Sequence, residues 1–308
     1  MCSSRAEAQA WIDKREKFLK ALPHLGRLTV AEAITLYEEQ FGGIGGWGRT
    51  KRTTLDYLRR TIGDWDAAAI TSEQLVRHAV ARRNDGASAA TVQNDFTWLR
   101  VTFKALRAIG RDVALQAVDD AMLSCRAQRL IGRPKARERR PTADELDRLR
   151  DFFIRKSNES QVPMVDLVDF AIASTRRESE ITRLLRSDND AEALTGMVRD
   201  AKHPTQKEGN DRRFKYTREA WEIQARQPAS GDLIFPFNPK TIGQYFRNAC
   251  KLLEIPDLRF HDLRHEGTSR LFEAGYSIAE VMQFTLHEDV KVLMRYTHLR
   301  PEDVELRS

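Results

Sequence analysis

The stretch HDLRHEGTSRLFEAG, residues 261–275, guides the interpretation of the whole sequence. Its pattern predicts a helix over 261–274 that ends before Gly275. His261 and His265 stand four residues apart, so they share one helix face and resemble a pair of metal ligands. The sequence has no third ligand at the spacing of a zincin, however. We therefore expect a helix that presents histidine and arginine side chains rather than a metal site.

The composition describes a folded protein with an excess of positive charge. With 308 residues and 41% hydrophobic content, the chain is long enough for two domains, each with its own core. The formal charge of +6 and the pI near 9.3 favour a polyanionic partner, either nucleic acid or an anionic membrane surface. The three cysteines lie far apart and indicate neither a disulfide framework nor a zinc site.

Three features of the sequence argue against a membrane protein. No segment approaches eighteen consecutive apolar residues, so no membrane span is expected. The N-terminal stretch MCSSRAEAQAWIDKREKFLK carries charge throughout and lacks the apolar core of a signal peptide. No amphipathic helix clearly combines a basic face with exposed tryptophan or phenylalanine. We therefore expect a cytoplasmic protein.

Changes in composition divide the chain into segments. Thr29 with Glu32 forms a capping box, and helical patterns follow it, including helices near 50–62 and 72–83 and one after Ser88. A strongly basic stretch without apolar periodicity then indicates a linker along phosphates or, alternatively, a solvated charge run. The predicted segments are an extension over 1–28, a helical domain over 29–125, a basic linker over 126–141 and a second domain over 142–308.

The second domain is predicted to combine helices with one β-hairpin. Thr142 with Glu145 is a capping box that opens its first helix. Two short segments, 196–202 and 212–217, flank a turn-forming stretch and predict paired strands. Further helices are predicted over 241–253, 261–274 and 277–286. The expected fold class is mainly α with a small β-hairpin, in which an α+β domain follows a helical one.

Two segments of this domain match known catalytic patterns. AIASTRRESEITRLLRSD, residues 171–188, follows the order T-G-x-R-x-S-E with Arg177 at the arginine, although Ser174 and Thr175 replace the Thr-Gly pair. The stretch at 261–275 follows the order H-x-x-R-H and then a helix that ends in glycine. Both segments resemble the catalytic boxes of tyrosine recombinases of the phage integrase type. The helical residues 29–125 look like the core-binding domain of that family.

Two more elements extend the resemblance. The family's L-G-H and Y-x-H motifs are similar to TLH at 285–287 and YTH at 296–298, where Leu286 replaces the glycine and the spacing is kept. The segment KEGNDRRF, from residue 207, resembles the hairpin turn that carries the family's catalytic lysine. Lys207 is the expected lysine, and Lys202 is the alternative because the loop is longer than usual.

The resemblance implies a set of residues that bind the scissile phosphate. Phosphodiester transfer adds negative charge to the non-bridging oxygens in the transition state, and two guanidiniums hold these oxygens without losing a proton. Arg177 and Arg264 are expected in this role. His287 is expected to donate a hydrogen bond to the same phosphate.

The resemblance also implies a set of residues that move protons. Tyr296 is the expected nucleophile, and it would join DNA through a 3′-phosphotyrosyl link. A phenol with a pKa of about 10 must lose its proton on attack, and His261 is the candidate base. Lys207 would protonate the departing 5′ oxygen. Because the phosphotyrosine bond keeps the energy of the phosphodiester, we expect no ATP, metal ion or other cofactor.

Double-stranded DNA is the expected partner, and strand exchange between two sites implies a homotetramer on DNA. Accessory DNA-bending or directionality proteins are compatible with this expectation, as is association with the nucleoid. Basic side chains would bind phosphates and supply affinity rather than sequence choice. The candidate phosphate contacts are Arg49, Lys51, Arg52, Arg59, Arg133, Lys135 and Arg137.

Two other functions stay open on the sequence alone. A DNA-binding regulator of the same fold, without turnover, is considered because Thr175 and Leu286 replace glycines of the motifs, although the intact Tyr296 argues against it. An enzyme of type IB topoisomerase character would relax supercoils by the same chemistry without a partner site. A requirement for a specific DNA site separates these functions from recombination.

Overall fold

The computed structural model describes residues 9, 27–42, 47–134, 137–159, 161–201 and 209–297. The chain divides into a first unit that ends at Ala136 and a second unit that begins at Arg137. The described residues are mostly helical, with one two-stranded antiparallel sheet, so the predicted fold class is confirmed. No helix in the described ranges is both long and apolar enough to cross a membrane.

The first unit packs its helices around one apolar core. Its first helix begins at the predicted capping box, in which Thr29 and Glu32 exchange hydrogen bonds. The last helix of this unit ends at Ala127. The helices are α1 (Val30–Phe41), α2 (Arg49–Ile62), α3 (Ser72–Asn84), α4 (Ala89–Ala108) and α5 (Leu115–Ala127).

The second unit combines further helices with the small sheet. Thr142 forms the capping box that the sequence indicated, and Ser277 forms another at the start of the helix predicted from residue 277. The helices are α6 (Ala143–Arg155), α7 (Met164–Ser174), α8 (Glu178–Ile181), α9 (Arg218–Ala225), α10 (Pro239–Leu252), α11 (Phe260–Glu273), α12 (Ile278–Thr285) and α13 (Val290–Thr297). Short 3₁₀ turns occupy Ser157–Glu159 and Arg186–Asp188.

The sheet is shorter than the predicted hairpin. Strand β1 (Thr195–Val198) pairs antiparallel with β2 (Arg212–Lys215), so that Thr195 lies opposite Lys215. Beyond the strands, the backbone N–H of Ala201 still donates to the carbonyl oxygen of Asn210, which continues the pairing irregularly. The tip of the hairpin, residues 202–208, lies outside the described residues.

Helices α7 and α11 meet at a glycine. A Cβ atom added to Gly267 would overlap the backbone carbonyl oxygen of Ile172, so the two backbones touch with no side chain between them. Helix α7 ends at Ser174, three residues before Arg177, and α11 carries Arg264. The close approach therefore sets the separation of the two arginines.

Substitution of Gly267 tests this contact. In a helix, Gly→Ala alone stabilises by roughly 1 kcal/mol. Because the added methyl group overlaps a backbone atom of α7, we expect Gly267→Ala to destabilise instead, by about 1–3 kcal/mol. Urea unfolding of the full chain measures this difference, and Gly231→Ala is the control because nothing lies within 4 Å of a Cβ at that position. A more stable Gly267→Ala protein would contradict the close approach.

Candidate active site

The turn after α7 positions Arg177. Thr175 adopts the left-handed conformation, with φ 56° and ψ 21°, at the position where the resembling motif has glycine. This conformation costs a non-glycine residue roughly 1–2 kcal/mol. The buried Thr175 hydroxyl donates to the carbonyl oxygen of Phe284 at 3.3 Å, which ties the turn to α12. Helix α8 then starts directly after Arg177. The turn of the first box is therefore formed without its glycine.

A single buried carboxylate faces three arginines. Arg177 Nη1 donates to Glu180 Oε1 at 2.6 Å, and Arg176 Nη1 lies 3.8 Å from Glu180 Oε2. Burial would raise the pKa of Glu180, but Arg176, Arg177 and Arg264 lower it to about 2. Glu180 is therefore ionised at neutral pH and offsets only one of three positive charges. The cluster keeps an excess of positive charge that suits an anionic ligand.

Arg264 holds two helix ends together. Its side chain is buried, and Nη2 donates to the carbonyl oxygen of Thr285 at 2.6 Å while Nη1 donates to that of Thr175. These are carbonyl groups at the ends of α12 and α7, which have no partner within their own helices. Burial, then Arg176 and Arg177, lower the pKa of Arg264 to about 9, so it stays charged at neutral pH.

His287 lies against Arg264 as a neutral imidazole. Burial, then Arg264 and Arg177, lower the pKa of His287 to about 3. Arg264 Nη2, which can only donate, lies 3.3 Å from His287 Nε2, and Thr285 Oγ1 lies 2.8 Å from Nδ1. We infer that Nε2 accepts and that Nδ1–H donates to Thr285. The preceding Leu286 is left-handed, with φ 58°, in place of the glycine of the family motif.

Tyr296 is buried beside these residues. It packs in a small apolar cluster with Leu271, Val281, Phe284 and Leu293. Its hydroxyl contacts His265 Nδ1 and accepts a hydrogen bond from Arg295 Nη2 at 3.1 Å. Burial raises the pKa of the phenol above its ordinary value, and Arg295 and Arg264 oppose that rise. The expected nucleophile is therefore protonated in the free protein.

The two histidines of α11 differ in their environments. His261, the expected base, is exposed, whereas His265 is buried and contacts the Tyr296 hydroxyl. Their rings pack edge to face, 5.1 Å apart. Across the described ranges, no group of three His, Cys, Asp or Glu side chains could hold a metal ion. The structure therefore brings Arg177, Arg264, His287 and Tyr296 together and places His265, not His261, on the phenol.

The expected catalytic lysines cannot be located in the same way. Lys207 and its alternative Lys202 both lie outside the described residues. Strands β1 and β2 flank the loop that carries them. The role of either lysine stays a prediction.

The candidate phosphate contacts of the first unit differ in their environments. Arg49 and Arg52 are exposed. Lys51 is partly buried, donates to Tyr37 Oη at 2.9 Å and lies 3.6 Å from the ring centroid of Trp47. Arg59 pairs with Glu38 and Asp56 at the distances of salt bridges. Arg49 and Arg52 therefore fit the predicted role best, because the other two side chains are held by neighbours.

Arg137, an expected phosphate contact, is paired with carboxylates of the protein. Its guanidinium donates to both carboxylate oxygens of the fully buried Asp262, at 2.7 Å each, and to Asp257. Nearby, Arg140 donates to Glu266 and Glu273 of α11. Side chains of the basic stretch therefore pair with carboxylates of the second unit, and a phosphate contact by Arg137 stays a prediction. Arg133 is exposed, and Lys135 lies outside the described residues.

Sequence reasoning gave no catalytic role to two residues of the site, His265 and Arg176. His265 is the second histidine of the H-x-x-R-H pattern, so its position was visible but its contact was not. Arg176 is fully buried, although arginine is usually exposed, and donates to the carbonyl oxygen of Phe284. Nothing in its sequence context distinguishes it from a surface arginine.

The comparison with protein families identifies the chain. The sequence profile of the phage integrase family matches residues 139–303, more than half of the chain. The protein therefore belongs to the phage integrase family. A curated relative, the shufflon-specific DNA recombinase of Escherichia coli, is 31% identical over 177 residues, which are 56% of this chain and 44% of the relative. The chain thus matches less than half the length of the curated relatives.

Solved structures share the fold. A lambda integrase dimer bound to a COC′ core site matches with a TM-score of 0.69 at 17% identity, over 99% of this chain and 89% of that one. A lambda integrase tetramer bound to a Holliday junction matches with a TM-score of 0.70 at 16% identity, over 92% and 82% of the two chains. At such identities the likeness establishes the fold.

The neutral histidines make stability dependent on pH. The pKa of His287 falls from 6.5 to about 3 on folding, so only the unfolded chain takes up this proton as the pH drops below 6.5. The stability that depends on neutral His287 is complete above pH 6.5 and is lost as the pH falls towards 3. We expect a slope of up to about 1.4 kcal/mol per pH unit from this group.

Urea unfolding at several pH values compares the wild type with His287→Asn. All other titratable groups are common to both proteins, so the difference between the two curves isolates His287. The wild type should lose its advantage over the variant as the pH falls from 6.5 to 4.5. Parallel curves would show that His287 titrates normally.

The pairing of Arg137 with Asp262 predicts a large effect on stability. Arg137→Ala leaves a buried carboxylate without its cation, so we expect a loss of about 3 kcal/mol in the free energy of unfolding. Arg259→Ala is the matched control because Arg259 pairs with Asp257 at 3.6 Å with both side chains largely exposed, and we expect less than about 1 kcal/mol there. Adding Asp262→Asn to Arg137→Ala should recover part of the loss. Equal effects of the two single substitutions would contradict the structural role of Arg137.

Proposed function

We propose that this protein is a site-specific DNA recombinase that cleaves and rejoins strands through a 3′-phosphotyrosyl intermediate at Tyr296, without ATP or a metal ion. One observation carries the proposal: a buried tyrosine hydroxyl lies beside a cluster of arginines whose charge is only partly compensated. A scissile phosphate supplies the missing negative charge and places an electrophile near the phenol. Membership of the phage integrase family supports the same chemistry.

The proposed roles follow the environments of the side chains. Arg177 is partly exposed and binds the non-bridging oxygens of the phosphate. The buried Arg264 stays charged and binds the same oxygens from the interior of the protein. His261 is exposed beside Arg264, where it contacts the phosphate. His287 donates a hydrogen bond to the phosphate when Nε2 carries a proton, which the negative charge of the bound phosphate favours. Lys207, or Lys202, protonates the leaving 5′ oxygen.

The DNA partner and the assembly are part of the proposal. The first unit serves as a core-binding domain and the second unit, with its linker, as the catalytic domain. The exposed residues Arg49, Arg52 and Arg133 contact phosphates of double-stranded DNA. We propose a homotetramer on paired sites, supported by the lambda integrase tetramer that shares the fold. The protein acts in the cytoplasm on the nucleoid, and accessory DNA-bending proteins are compatible with this function.

Covalent trapping tests the proposed chemistry. The protein is incubated with nicked duplexes from the DNA that flanks its own coding region, so that a cleaved fragment diffuses away and religation fails. We expect an SDS-stable protein–DNA adduct with the wild type and none with Tyr296→Phe. Tyr276→Phe is the matched control, because Tyr276 lies in the same unit but is 40% exposed. It should form the adduct normally.

The arginines should be required for the same adduct. Arg177→Ala should lower the rate of adduct formation by at least about 100-fold, because it removes a preorganised donor to the transition state. An adduct that persists in Tyr296→Phe would exclude Tyr296 as the nucleophile. Tight binding of a flanking duplex without any adduct would make a DNA-binding regulator the better function. Relaxation of supercoils without a specific site would favour a topoisomerase.

A further inference from the structure

The Tyr296 hydroxyl faces one histidine of α11 and not the other. His265 Nδ1 contacts the phenol oxygen, and the two rings stack with centroids 5.7 Å apart at 29°. His261, one turn earlier, is exposed and packs its ring against that of His265. The described residues place no other histidine in hydrogen-bonding contact with this hydroxyl. The contact therefore selects His265 as the neighbour of the reacting oxygen.

The hydrogen bonds around the phenol fix the direction of its proton. Arg295 Nη2 can only donate, and it donates to the phenol oxygen at 3.1 Å. Among the described residues, His265 Nδ1 is the one acceptor that contacts the hydroxyl. The phenol proton therefore points at Nδ1, and His265 carries its own proton on Nε2. This arrangement polarises the O–H bond between a cation and a base.

We propose that His265 accepts the Tyr296 proton during DNA cleavage and that Arg295 stabilises the phenolate. This inference rests on the proposed function and deepens it, because it assigns the base to His265 and not to His261, the candidate that the sequence indicated. The O–H bond of the phenol breaks as an N–H bond forms at His265 Nδ1. The phenolate oxygen then bonds to phosphorus, the bond from phosphorus to the 5′ oxygen breaks, and the leaving oxygen takes a proton from the catalytic lysine. Religation reverses each step, and the imidazolium returns its proton to Tyr296.

The charges around His265 couple this step to DNA. His261, Asp262 and Arg264 face it from α11, and Arg295 and Tyr296 face it from α13. Burial, then His261 and Arg295, lower the pKa of His265 to about 4, so the free protein keeps a neutral imidazole and a protonated phenol. A bound phosphate adds negative charge next to these cations and thereby raises the proton affinity of His265. The nucleophile is therefore activated only when DNA occupies the site.

Single-turnover cleavage of the duplex that yields the adduct tests the role of His265. His265→Asn keeps an acceptor oxygen near the position of Nδ1 but cannot take up a proton. His261→Asn is the comparison on the same helix, because it removes the proposed phosphate contact and leaves the neighbour of the phenol in place. We expect His265→Asn to lower the cleavage rate by about 100-fold or more, with the Kd for the duplex unchanged within about twofold. Imidazole in the buffer should restore cleavage by His265→Gly. His261→Asn should show no such rescue.

A modified DNA substrate shows whether His265 acts as a base or as an acid. A duplex with a bridging 5′ sulfur at the scissile phosphate has a leaving group that needs no proton. If His265 is the base, the defect of His265→Asn persists on this duplex, whereas the defect of a lysine variant disappears. Recovery of His265→Asn on the sulfur substrate would overturn the proposal, because it would make His265 an acid. Cleavage by His265→Asn at the wild-type rate would overturn it as well.

Nitrogen NMR of the full protein tests the same contact without DNA cleavage. We expect the Nε2–H tautomer for His265, and a shift of the Nδ1 resonance in Tyr296→Phe, where the donated hydrogen bond is lost. The Nδ1–H tautomer would refute the proposal whether or not the protein recombines DNA. If the wild type forms no adduct but His265 has the expected tautomer, the proposed function fails while the contact stands.

Discussion

The site depends on the hydrogen bonds that the guanidinium of Arg264 donates to two helix ends. It is buried between the ends of α7 and α12 and donates to one carbonyl oxygen at each end. A cation near the C-terminal end of a helix is favourable because the free carbonyl groups carry partial negative charge. Arg176 adds a second donor to the end of α12, at Phe284. Together these arginines fix the turns that lead to Arg177 and His287.

Helix α11, which carries Arg264, also packs closely against α7 and forms ion pairs with the segment before α6. Gly267 brings α11 into backbone contact with α7, and the segment from Arg137 to Arg140 pairs with Asp262, Glu266 and Glu273. A buried carboxylate and a close-packed glycine both leave α11 little freedom to shift. The phosphate-binding arginine and the partner of the nucleophile therefore belong to one rigidly held element. Preorganisation of this kind stabilises charge in the transition state without reorganisation during the reaction.

Local signals predicted the secondary structure. The order of motifs along the chain singled out Arg177, Arg264, His287 and Tyr296, which the structure brings together. The capping boxes at Thr29, Thr142 and Ser277 begin helices where expected, because a cap is formed by residues three positions apart. Contacts between segments that lie far apart in the sequence were harder to predict. The partners of Arg137 lie 120 and 125 residues away, so nothing local in the sequence indicated its ion pairs. His261 and His265 share a helix face, and only the packing of α13 against α11 decides which of them contacts Tyr296.

In this structure a single chain supplies both the arginines proposed to bind the phosphate and the tyrosine proposed to attack it. Mixing two inactive variants tests it directly: Tyr296→Phe keeps the arginines, and Arg177→Ala keeps the nucleophile. If Tyr296 serves the site of its own chain, the mixture forms no adduct above the level of the separate variants on the duplex that traps the wild type. An adduct formed only in the mixture would show that the tyrosine attacks in the site of another subunit, and it would contradict the claim.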